Sequence, residues 1–375
     1  MRVLLTGGGT AGHINPALAI AETIRQNDPT AVIEFVGIET GKETDLVPRE
    51  GYKLHFVKSQ GIKRSLSPSN IKAVWLALTS PRSKETVSII KEFNPDIVIG
   101  TGGFTCWPIM AAAARMGIPT ALHESNSLPG LAVRMLQGKV DRIWTNFPST
   151  QQKLHAKKKI MHVGNPLRAG FGALSKEEAR RKIGVAEDQT LILSFGGSLG
   201  AALVNASAME LMQTLVKGNE KLLHVHATGA RAYETCTERA REMGIDGVSN
   251  CILTDYIYDM PTYMAAADLV IARAGAMTVS ELSRMKKACI LIPSPNVTDN
   301  HQYKNAKELA DASAASLIEE KTLPAGALRR EVERLLSSKD ARAQYEQNIA
   351  AFAKADANRV IWEDIQDLVR GEERT

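Results

Sequence analysis

The sequence has few of the features that mark secreted, zinc-built or membrane-spanning chains. Its four cysteines, Cys106, Cys236, Cys251 and Cys289, lie far apart and form no C-x-x-C pair, which argues against a disulfide framework or a structural zinc site. No run approaches the roughly eighteen uninterrupted apolar residues of a membrane span. The chain opens on MRVLLTGG without a charged leader or cleavage site, so no secretory signal is expected. The D-x-D motif is also absent, and a metal-bridged diphosphate site of the usual kind is therefore not expected.

The composition is that of a soluble globular protein. The 375 residues are 44% hydrophobic and 23% charged, and a chain of this length predicts two domains. The net charge of +5 is uneven, because residues 1–165 hold 20 lysines and arginines against 12 acids, and the remainder holds 26 against 29. A basic first half favours an anionic partner there, such as phosphate, nucleic acid or an acidic bilayer surface, or is simply a solvated surface.

Strand-like and helix-like segments alternate along both halves, which predicts an α/β fold with parallel doubly wound sheets. Strands are predicted in the first half at 2–7, 31–37, 53–57, 96–103 and 120–125. In the second half the segments 190–201, 221–229, 251–257, 267–276 and 287–295 are each predicted to be a strand that enters a loop. Helices are predicted at 15–26, 108–117, 176–185 and 277–285, and from 330 to 369 with a break near 337–340. The Asn-Pro step within 162–168 reads as a hinge. The chain is thus two tandem Rossmann-like domains, 1–165 and 166–345, followed by a helical tail, 346–375, that packs back on the first domain. We expect ligands in a cleft between the domains, at the carboxyl ends of the strands.

The first glycine loop, TGGGTAGH, supports two interpretations. Gly7-x-Gly9-x-x-Gly12 matches the dinucleotide-binding fingerprint. Alternatively, the important residue is His13, whose ordinary pKa suits proton removal near neutral pH, so that it would act as a general base. A purely structural histidine that bonds the loop is the rival. A dinucleotide enzyme would also need an acid at the end of the second strand, and Glu34 and Glu39 fit that position poorly.

The segment ADLVIARAGAMTVSEL (267–282) predicts a diphosphate site. Arg273 ends a strand, a small-residue turn follows, and Met277 opens a helix whose first N–H groups have no internal partner. The Thr278 hydroxyl could add to phosphate binding, and Glu281 could accept hydrogen bonds from ribose hydroxyls. In the loop FGGSLGA, Ser198 could meet a second phosphate oxygen. An ordinary turn is the alternative at both places.

Three further segments carry candidate side chains. HESN (123–126) supplies Glu124, which could orient His13 or act as the base, and Asn126, which could bond a sugar; DNHQYKNA (299–306) supplies Gln302 for sugar hydroxyls. Either could instead be a helix cap. The third, 61–84, has an apolar helical face surrounded by cations, which would suit an anionic lipid surface or packing on the sheet. The face and cations are Ile71, Val74, Trp75, Leu78, Lys63, Arg64, Lys72, Arg82 and Lys84.

Together these motifs resemble the MurG family of peptidoglycan glycosyltransferases, glycosyltransferase family 28, along nearly the whole chain. The similar segments, in order, are GGGTAGHINPALA, EFVGIETGKETDLVPREGY, GGFTCWP, HESN, GNPLR, FGGSLGA, RAGAMTVSEL and IPSPNVTDNHQYKNA. The resemblance implies a GT-B fold. It implies that N-acetylglucosamine is transferred from UDP-N-acetylglucosamine to the 4-hydroxyl of N-acetylmuramic acid in lipid I, with inversion and without a metal ion. The product would be β-1,4-linked lipid II for peptidoglycan synthesis. It implies no cofactor and no nucleic acid partner. The expected place of action is the cytoplasmic face of the cell membrane, as a peripheral protein that meets anionic lipid and other cell-wall and division proteins.

The resemblance also implies residue roles. His13 and Glu124 are the catalytic candidates. Donor contacts are implied for Thr10, Ala11, Gly12, Asn126, Arg168, Ser198, Ile257, Arg273, Ala276, Met277, Thr278, Glu281 and Gln302. Acceptor or membrane contacts are implied for Gly103, Phe104, Lys72, Trp75 and Leu78. Ala11 stands where the family commonly has glycine, and Phe104 stands where a tyrosine is frequent, so no role that needs that tyrosine hydroxyl can apply here.

Overall fold

The computed structural model describes residues 1–61, 73, 75–77, 79–156, 160–197, 200–354 and 356–372. The chain divides into two compact units, the first made of Met1–Arg168 with Lys354–Thr375 and the second of Ala169–Ala353. Both are α/β units built on parallel sheets, as predicted.

The first unit contains a parallel sheet with the strand order β3-β2-β1-β4-β5-β6-β7. Its strands are β1 (Arg2–Thr6), β2 (Val32–Gly37), β3 (Lys53–Phe56), β4 (Ile97–Gly100), β5 (Thr120–Glu124), β6 (Arg142–Thr145) and β7 (Ile160–His162). Its helices are α1 (Ala11–Asn27), α2 (Glu43–Arg49), α3 (Lys84–Phe93), α4 (Cys106–Arg115), α5 (Leu131–Leu136), α6 (Pro148–Gln152) and, from the end of the chain, α15 (Ala357–Arg370).

Alternation along β1 divides the core of the first unit into two layers. Val3 and Leu5 pack in one cluster with Ile361 and Ile365 of α15, whereas Leu4 packs in the other cluster with Ile109 of α4. Successive side chains of a strand point to opposite faces. A continuous apolar run such as RVLLT is therefore what a sheet covered on both faces requires.

The closing helix α15 is held in the first unit by polar as well as apolar contacts. Asp364, which is fully buried, accepts hydrogen bonds from Trp144 Nε1 at 2.7 Å and from Arg142 Nε at 3.0 Å. Asn358 bonds both the N–H and the C=O of Leu167. These contacts place 166–168 in the first unit, three residues beyond the boundary predicted at 165.

The second unit contains a parallel sheet with the strand order β10-β9-β8-β11-β12-β13. Its strands are β8 (Thr190–Phe195), β9 (Leu222–Ala227), β10 (Cys251–Thr254), β11 (Leu269–Ala272), β12 (Cys289–Leu291) and β13 (Ser316–Leu317). Its helices are α7 (Lys176–Ile183), α8 (Ala202–Leu211), α9 (Tyr233–Glu242), α10 (Met260–Ala266), α11 (Ala276–Arg284), α12 (His301–Asp311), α13 (Ala327–Ser337) and α14 (Lys339–Ile349). This unit ends at Ala353, whereas the predicted boundary is 345. Asn348 of α14 contributes to this by bonding the carbonyls of Ala312 and Ser313.

The structure differs from the sequence prediction mainly at short strands and at helix ends. The strands β6, β7 and β13 were not predicted. Helix α1 begins at Ala11 rather than at Asn15, because the N–H groups of His13 and Ile14 already bond the carbonyl of Thr10. Within the described residues, no helix combines the length and the apolar character needed to cross a bilayer.

Candidate functional site

In each unit the glycine loops lie where the order of the strands reverses. In the first sheet the reversal falls between β1 and β4, and in the second between β8 and β11. Loops at the carboxyl ends of such neighbouring strands diverge and leave a crevice, which is the usual ligand site of a doubly wound sheet. Loops 7–10 and 101–105 occupy this position in the first unit, and residues 196–197, 200–201 and 273–275 occupy it in the second.

His13 lies in the first turn of α1, at the reversal point of the first sheet. Its Nδ1 is 3.1 Å from Thr10 Oγ1, and its backbone carbonyl accepts a hydrogen bond of 2.6 Å from Thr101 Oγ1. The partly buried ring lies against the backbone of Gly102 and Gly103. A Cβ on Gly102 would be 2.9 Å from His13 Cδ2, and one on Gly103 would be 3.2 Å from Nδ1. The two glycines therefore let the second loop reach the imidazole.

The buried carboxylate of Glu43 lies against the first glycine loop. Its Oε2 accepts a hydrogen bond of 2.9 Å from the N–H of Gly9, and its Oε1 accepts one of 3.1 Å from the N–H of Ile38. In the dinucleotide fingerprint the second glycine is where the backbone approaches the pyrophosphate. That glycine corresponds to Gly9, and a pyrophosphate there would meet a desolvated carboxylate of the same sign. This geometry disfavours the dinucleotide interpretation of the loop.

Glu124 does not orient His13, contrary to one of the sequence interpretations. Its Oε1 accepts from the N–H of Asn126 at 2.9 Å and from Asn126 Nδ2 at 3.2 Å, and its Oε2 accepts from the N–H of Gly130 at 2.7 Å. Burial raises the pKa of Glu124, and these hydrogen bonds act in the opposite direction. Both oxygens of Glu124 hold the 126–130 turn, and Thr10 Oγ1 is a polar partner of His13 Nδ1.

The predicted acceptor and membrane residues are only partly described. The Phe104 ring lies over the first loop, 3.2 Å from where a Cβ on Gly9 would be, and the Phe104 carbonyl accepts a hydrogen bond of 2.8 Å from Ser59 Oγ. Trp75 is 64% exposed. Lys72 and Leu78 lie outside the described residues, and so do Ile71, Val74, Lys63 and Arg64 of the same segment.

Helix α11 begins at the reversal point of the second sheet. Gly275 is its N-cap residue and supplies no side-chain cap, and the first N–H to bond back within the helix is that of Val279, to the Gly275 carbonyl at 2.9 Å. The preceding carbonyl, that of Ala274, is fixed by a hydrogen bond of 3.2 Å from the buried Asn305. The helix thus directs backbone donors and the positive end of its dipole out of the turn formed by Ala276, Met277 and Thr278.

Glu281 lies one turn further along α11. Within the described part of the chain no donor bonds its carboxylate, and desolvation raises its pKa to about 7. Some of the side chain remains accessible to solvent. An unpaired carboxylate in such a place can accept hydrogen bonds from two neighbouring hydroxyls of a ligand.

Two other residues of the second unit offer hydrogen-bonding groups to a ligand. The side chain of Ile257 is buried, while neither its N–H nor its C=O forms a backbone hydrogen bond within the residues described. Gln302 Oε1 accepts a hydrogen bond of 2.9 Å from the N–H of Ser294. The NH2 of the same side-chain amide therefore faces away from that bond. Ser198 lies outside the described residues.

Two arginines for which the resemblance implies donor contacts form ion pairs within their own units. Arg273 forms an ion pair with Glu320 and also donates a hydrogen bond of 3.1 Å to the carbonyl of Ile292. Its charge is neutralised within the second unit, so its role is to fix the end of β11. Arg168 pairs with Glu50 at 2.9 Å and lines a pocket of about 330 Å³ in the first unit with Leu18, Glu22, Arg25, Gln26, Glu50 and Tyr52.

The most important residue missed by the sequence reasoning is Glu43. It lies within the similar segment 34–52, but an isolated glutamate shortly after a glycine carries no local signal of a long-range contact. Its position two residues after Gly41 and near a strand end would have been the only clue.

Comparison with known proteins gives a consistent result over the whole chain. A UDP-N-acetylglucosamine–N-acetylmuramyl-(pentapeptide) pyrophosphoryl-undecaprenol N-acetylglucosamine transferase from Acetivibrio thermocellus is 40% identical over 99% of both chains. The crystal structure of Acinetobacter baumannii MurG matches with a TM-score of 0.73 and 25% identity, over 98% of this chain and 99% of that one. A UDP-GlcNAc 2-epimerase from Neisseria meningitidis, at a TM-score of 0.64 and 14% identity over 98% and 100% of the two chains, shares the fold alone.

These similarities confirm the resemblance and the predicted GT-B fold. The model of the glycosyltransferase family 28 N-terminal domain matches residues 3–145, and that of the family's C-terminal domain matches residues 191–361. The chain therefore belongs to glycosyltransferase family 28.

Proposed function

We propose that this protein transfers N-acetylglucosamine from UDP-N-acetylglucosamine to lipid I, giving lipid II. The name of the Acetivibrio thermocellus relative confirms the predicted activity as an N-acetylglucosaminyltransferase of peptidoglycan synthesis. The observation that carries the proposal for this chain is the contrast between its two reversal points. One presents an imidazole beside an amide already occupied by Glu43. The other presents a helix terminus whose N-cap residue, Gly275, has no capping side chain, and a glutamate whose carboxylate has no hydrogen-bond donor among the described residues.

The second unit is the donor site in this proposal. Backbone N–H groups at the start of α11, together with Thr278, bind the diphosphate and stabilise the charge that develops on the leaving UDP as fixed dipoles. The Glu281 carboxylate accepts from the ribose hydroxyls, and the Ile257 backbone reads the uracil edge. The Gln302 amide donates to a hydroxyl of the sugar. Ser198 completes the phosphate contacts, as the family resemblance implies.

The first unit supplies the base. The 4-hydroxyl of N-acetylmuramic acid attacks the anomeric carbon, the bond to the UDP oxygen breaks, and inversion gives a β-1,4 linkage. His13 Nε2 takes the hydroxyl proton while Nδ1 faces Thr10, an arrangement that fixes the direction of the ring. A positioned general base typically contributes about 10²- to 10⁴-fold to the rate. Thr10, Ala11, Gly12 and Asn126 line the sugar side of the site, and Gly103 and Phe104 meet the acceptor.

We further propose that the protein acts at the cytoplasmic face of the cell membrane as a peripheral protein. The exposed Trp75 and the basic residues of 61–84 support this, since an aromatic ring flanked by cations suits an anionic headgroup layer. Flotation with phosphatidylglycerol vesicles tests it. Wild type should float and Trp75→Ala should float less, whereas equal flotation of both would refute a role for this side chain.

The activity is tested by transfer of radiolabelled sugar from UDP-N-acetylglucosamine to a lipid I analogue, with UDP-glucose as the control donor. We expect a labelled lipid product that requires N-acetylglucosamine and needs no added divalent ion. Release of N-acetylmannosamine and UDP without a lipid product would indicate an epimerase instead. Tight binding of NAD but not of UDP-N-acetylglucosamine would restore the dinucleotide interpretation.

A further inference from the structure

We propose that Glu43 is a positioning residue that holds the first glycine loop, and through it Thr10 and His13, in the geometry that sugar transfer requires. This inference rests on the proposed function, in which His13 is the base.

Glu43 connects two loops of the first unit that are otherwise separate in sequence. Its side chain is buried, with 1% exposure, and its two oxygens accept from Gly9 in the β1–α1 loop and from Ile38 after β2. In the described residues no lysine or arginine forms an ion pair with it. A buried charge without a cation is costly unless hydrogen bonds compensate it. The two backbone N–H groups are therefore essential to this carboxylate, and the carboxylate in turn fixes both of them.

Three glycines leave the space that this carboxylate occupies. A Cβ on Gly8 would lie 2.3 Å from Glu43 Oε1, one on Gly37 would lie 2.5 Å from Cγ, and one on Gly41 would lie 2.1 Å from Oε2. No Cβ tolerates such distances without a shift of its neighbours. The missing Cβ of Gly8 thus makes room for a protein carboxylate, which bonds the Gly9 N–H where a dinucleotide site would hold phosphate.

The fixed Gly9 amide controls the residues that orient the base. Gly9 has a φ of 80°, a conformation natural to glycine, and it directly precedes Thr10. The Thr10 carbonyl accepts from the His13 N–H at 3.0 Å, and Thr10 Oγ1 lies 3.1 Å from His13 Nδ1. A displacement of the Gly9 peptide therefore moves both the cap of α1 and the partner of the imidazole. Thr101 Oγ1 donates a hydrogen bond to the backbone carbonyl of His13, so it fixes the main chain of His13, whereas Thr10 contacts the ring.

Glu43→Gln tests the proposal. The substitution keeps the side-chain volume, but the glutamine NH2 must face the N–H of either Gly9 or Ile38. One hydrogen bond is then lost, and two donors oppose each other. Asp45→Asn is the matched control, because Asp45 is an exposed carboxylate on the same helix and pairs with Arg49 at the surface. Glu43→Asp, which keeps the charge but is one methylene shorter, is the second variant if Glu43→Gln does not fold.

Three measurements are compared between the variants and wild type. Hydrogen exchange reports peptides that cover 7–14, calorimetry gives the Kd for UDP-N-acetylglucosamine, and steady-state kinetics gives kcat with a lipid I analogue. We expect faster exchange confined to 7–14 and 37–43, a fall in kcat of about 10- to 100-fold because small misplacements of a reacting group are costly, and a donor Kd within about twofold of wild type. Asp45→Asn should match wild type throughout.

The other outcomes overturn the proposal. Unchanged exchange at 7–14 would mean that Glu43 does not hold the loop, and unchanged kcat with faster exchange would mean that the held geometry does not matter for transfer. Faster exchange across the whole first unit, with kcat and donor affinity falling together, would indicate general destabilisation. If wild type and Asp45→Asn transfer sugar normally while Glu43→Gln does so too, only this proposal is wrong. If wild type itself transfers no sugar, the proposed function is wrong and this inference falls with it.

Discussion

Replacement of Glu281 by glutamine should make the protein more stable and its donor binding weaker. The carboxylate lies on α11 without a donor among the described residues, and desolvation raises its pKa from 4.5 to about 7. Glutamine has nearly the same shape but no charge to desolvate. The variant therefore separates two effects of the Glu281 charge. One is the loss of folding stability in the ligand-free protein, and the other is the gain in donor affinity.

The pKa shift sets the size and the sign of the stability change. The folded pKa lies above the unfolded value, so between pH 4.5 and about 7 the folded chain binds more protons than the unfolded chain. Stability therefore falls as the pH rises through that window, and the full cost is present above pH 7. At about 1.4 kcal/mol per pKa unit the cost is roughly 3 kcal/mol, and partial solvent contact reduces it to about 1–2 kcal/mol. Glu281→Gln should gain this amount at pH 8 and nothing at pH 4.

Donor binding should change in the opposite direction. In the proposed site the ionised Glu281 accepts hydrogen bonds from the ribose hydroxyls, and a hydrogen bond to a charged group contributes about 1.5–3 kcal/mol. At pH 8 the Kd for UDP-N-acetylglucosamine should therefore rise roughly 10- to 100-fold in Glu281→Gln. In wild type the affinity should weaken as the pH falls below about 7, and the variant should lack this dependence.

Urea unfolding and calorimetry measure the two effects. Glu281 lies in the second unit, whereas all four tryptophans lie in the first: Trp75, Trp107, Trp144 and Trp362. Tryptophan fluorescence would therefore report on the wrong unit, and circular dichroism is the suitable probe of unfolding. Glu238→Gln is the control, since Glu238 is an exposed glutamate of the second unit and should alter neither quantity. A variant as stable as wild type at pH 8 would refute the desolvation argument. An unchanged donor Kd would refute the ribose role.

Three further predictions address other residues. His13→Ala should lower kcat by about 10²- to 10⁴-fold while calorimetry finds an unchanged donor Kd; near-normal turnover would eliminate the base assignment. Arg273→Met should cost about 1–3 kcal/mol in urea unfolding, because it leaves the partly buried Glu320 carboxylate without its cation. Adding Glu320→Leu should restore much of that loss, and additive losses in the double variant would contradict the pairing. Burial lowers the pKa of His123 from 6.5 to about 4, so the unfolded chain binds more protons in that window and stability should fall by about 3 kcal/mol as the pH drops from 6.5 to 4. Urea unfolding followed by tryptophan fluorescence should show that the free energy of unfolding falls less with pH in His123→Gln than in wild type. An equal fall in both proteins would exclude His123 as its source.

Most of the architecture follows from local patterns in the sequence. Runs such as RVLLTG and DIVIG have apolar central residues on both faces and end in glycine, which identifies buried parallel strands and the loops that follow them. The short strands β6, β7 and β13 were not predicted, because two to four residues hold too little periodicity to distinguish a strand from a loop. The start of α1 was misplaced because the Asn15-Pro16 step resembles a helix boundary, whereas Thr10 caps the helix earlier.

The sequence by itself determined the family, the two parallel sheets and the segments that carry the chemistry, since glycine loops and helix termini are recorded in residues adjacent along the chain. Only the tertiary structure decided how individual charges are used. Arg273 is neutralised by a glutamate 47 residues away, Glu124 is committed to its own turn, and Glu43 reaches a glycine 34 residues earlier in the chain. The free energy of a buried charge depends on which donors and counter-charges surround it. The fold brings those groups together from distant segments, so local patterns in the sequence do not predict them.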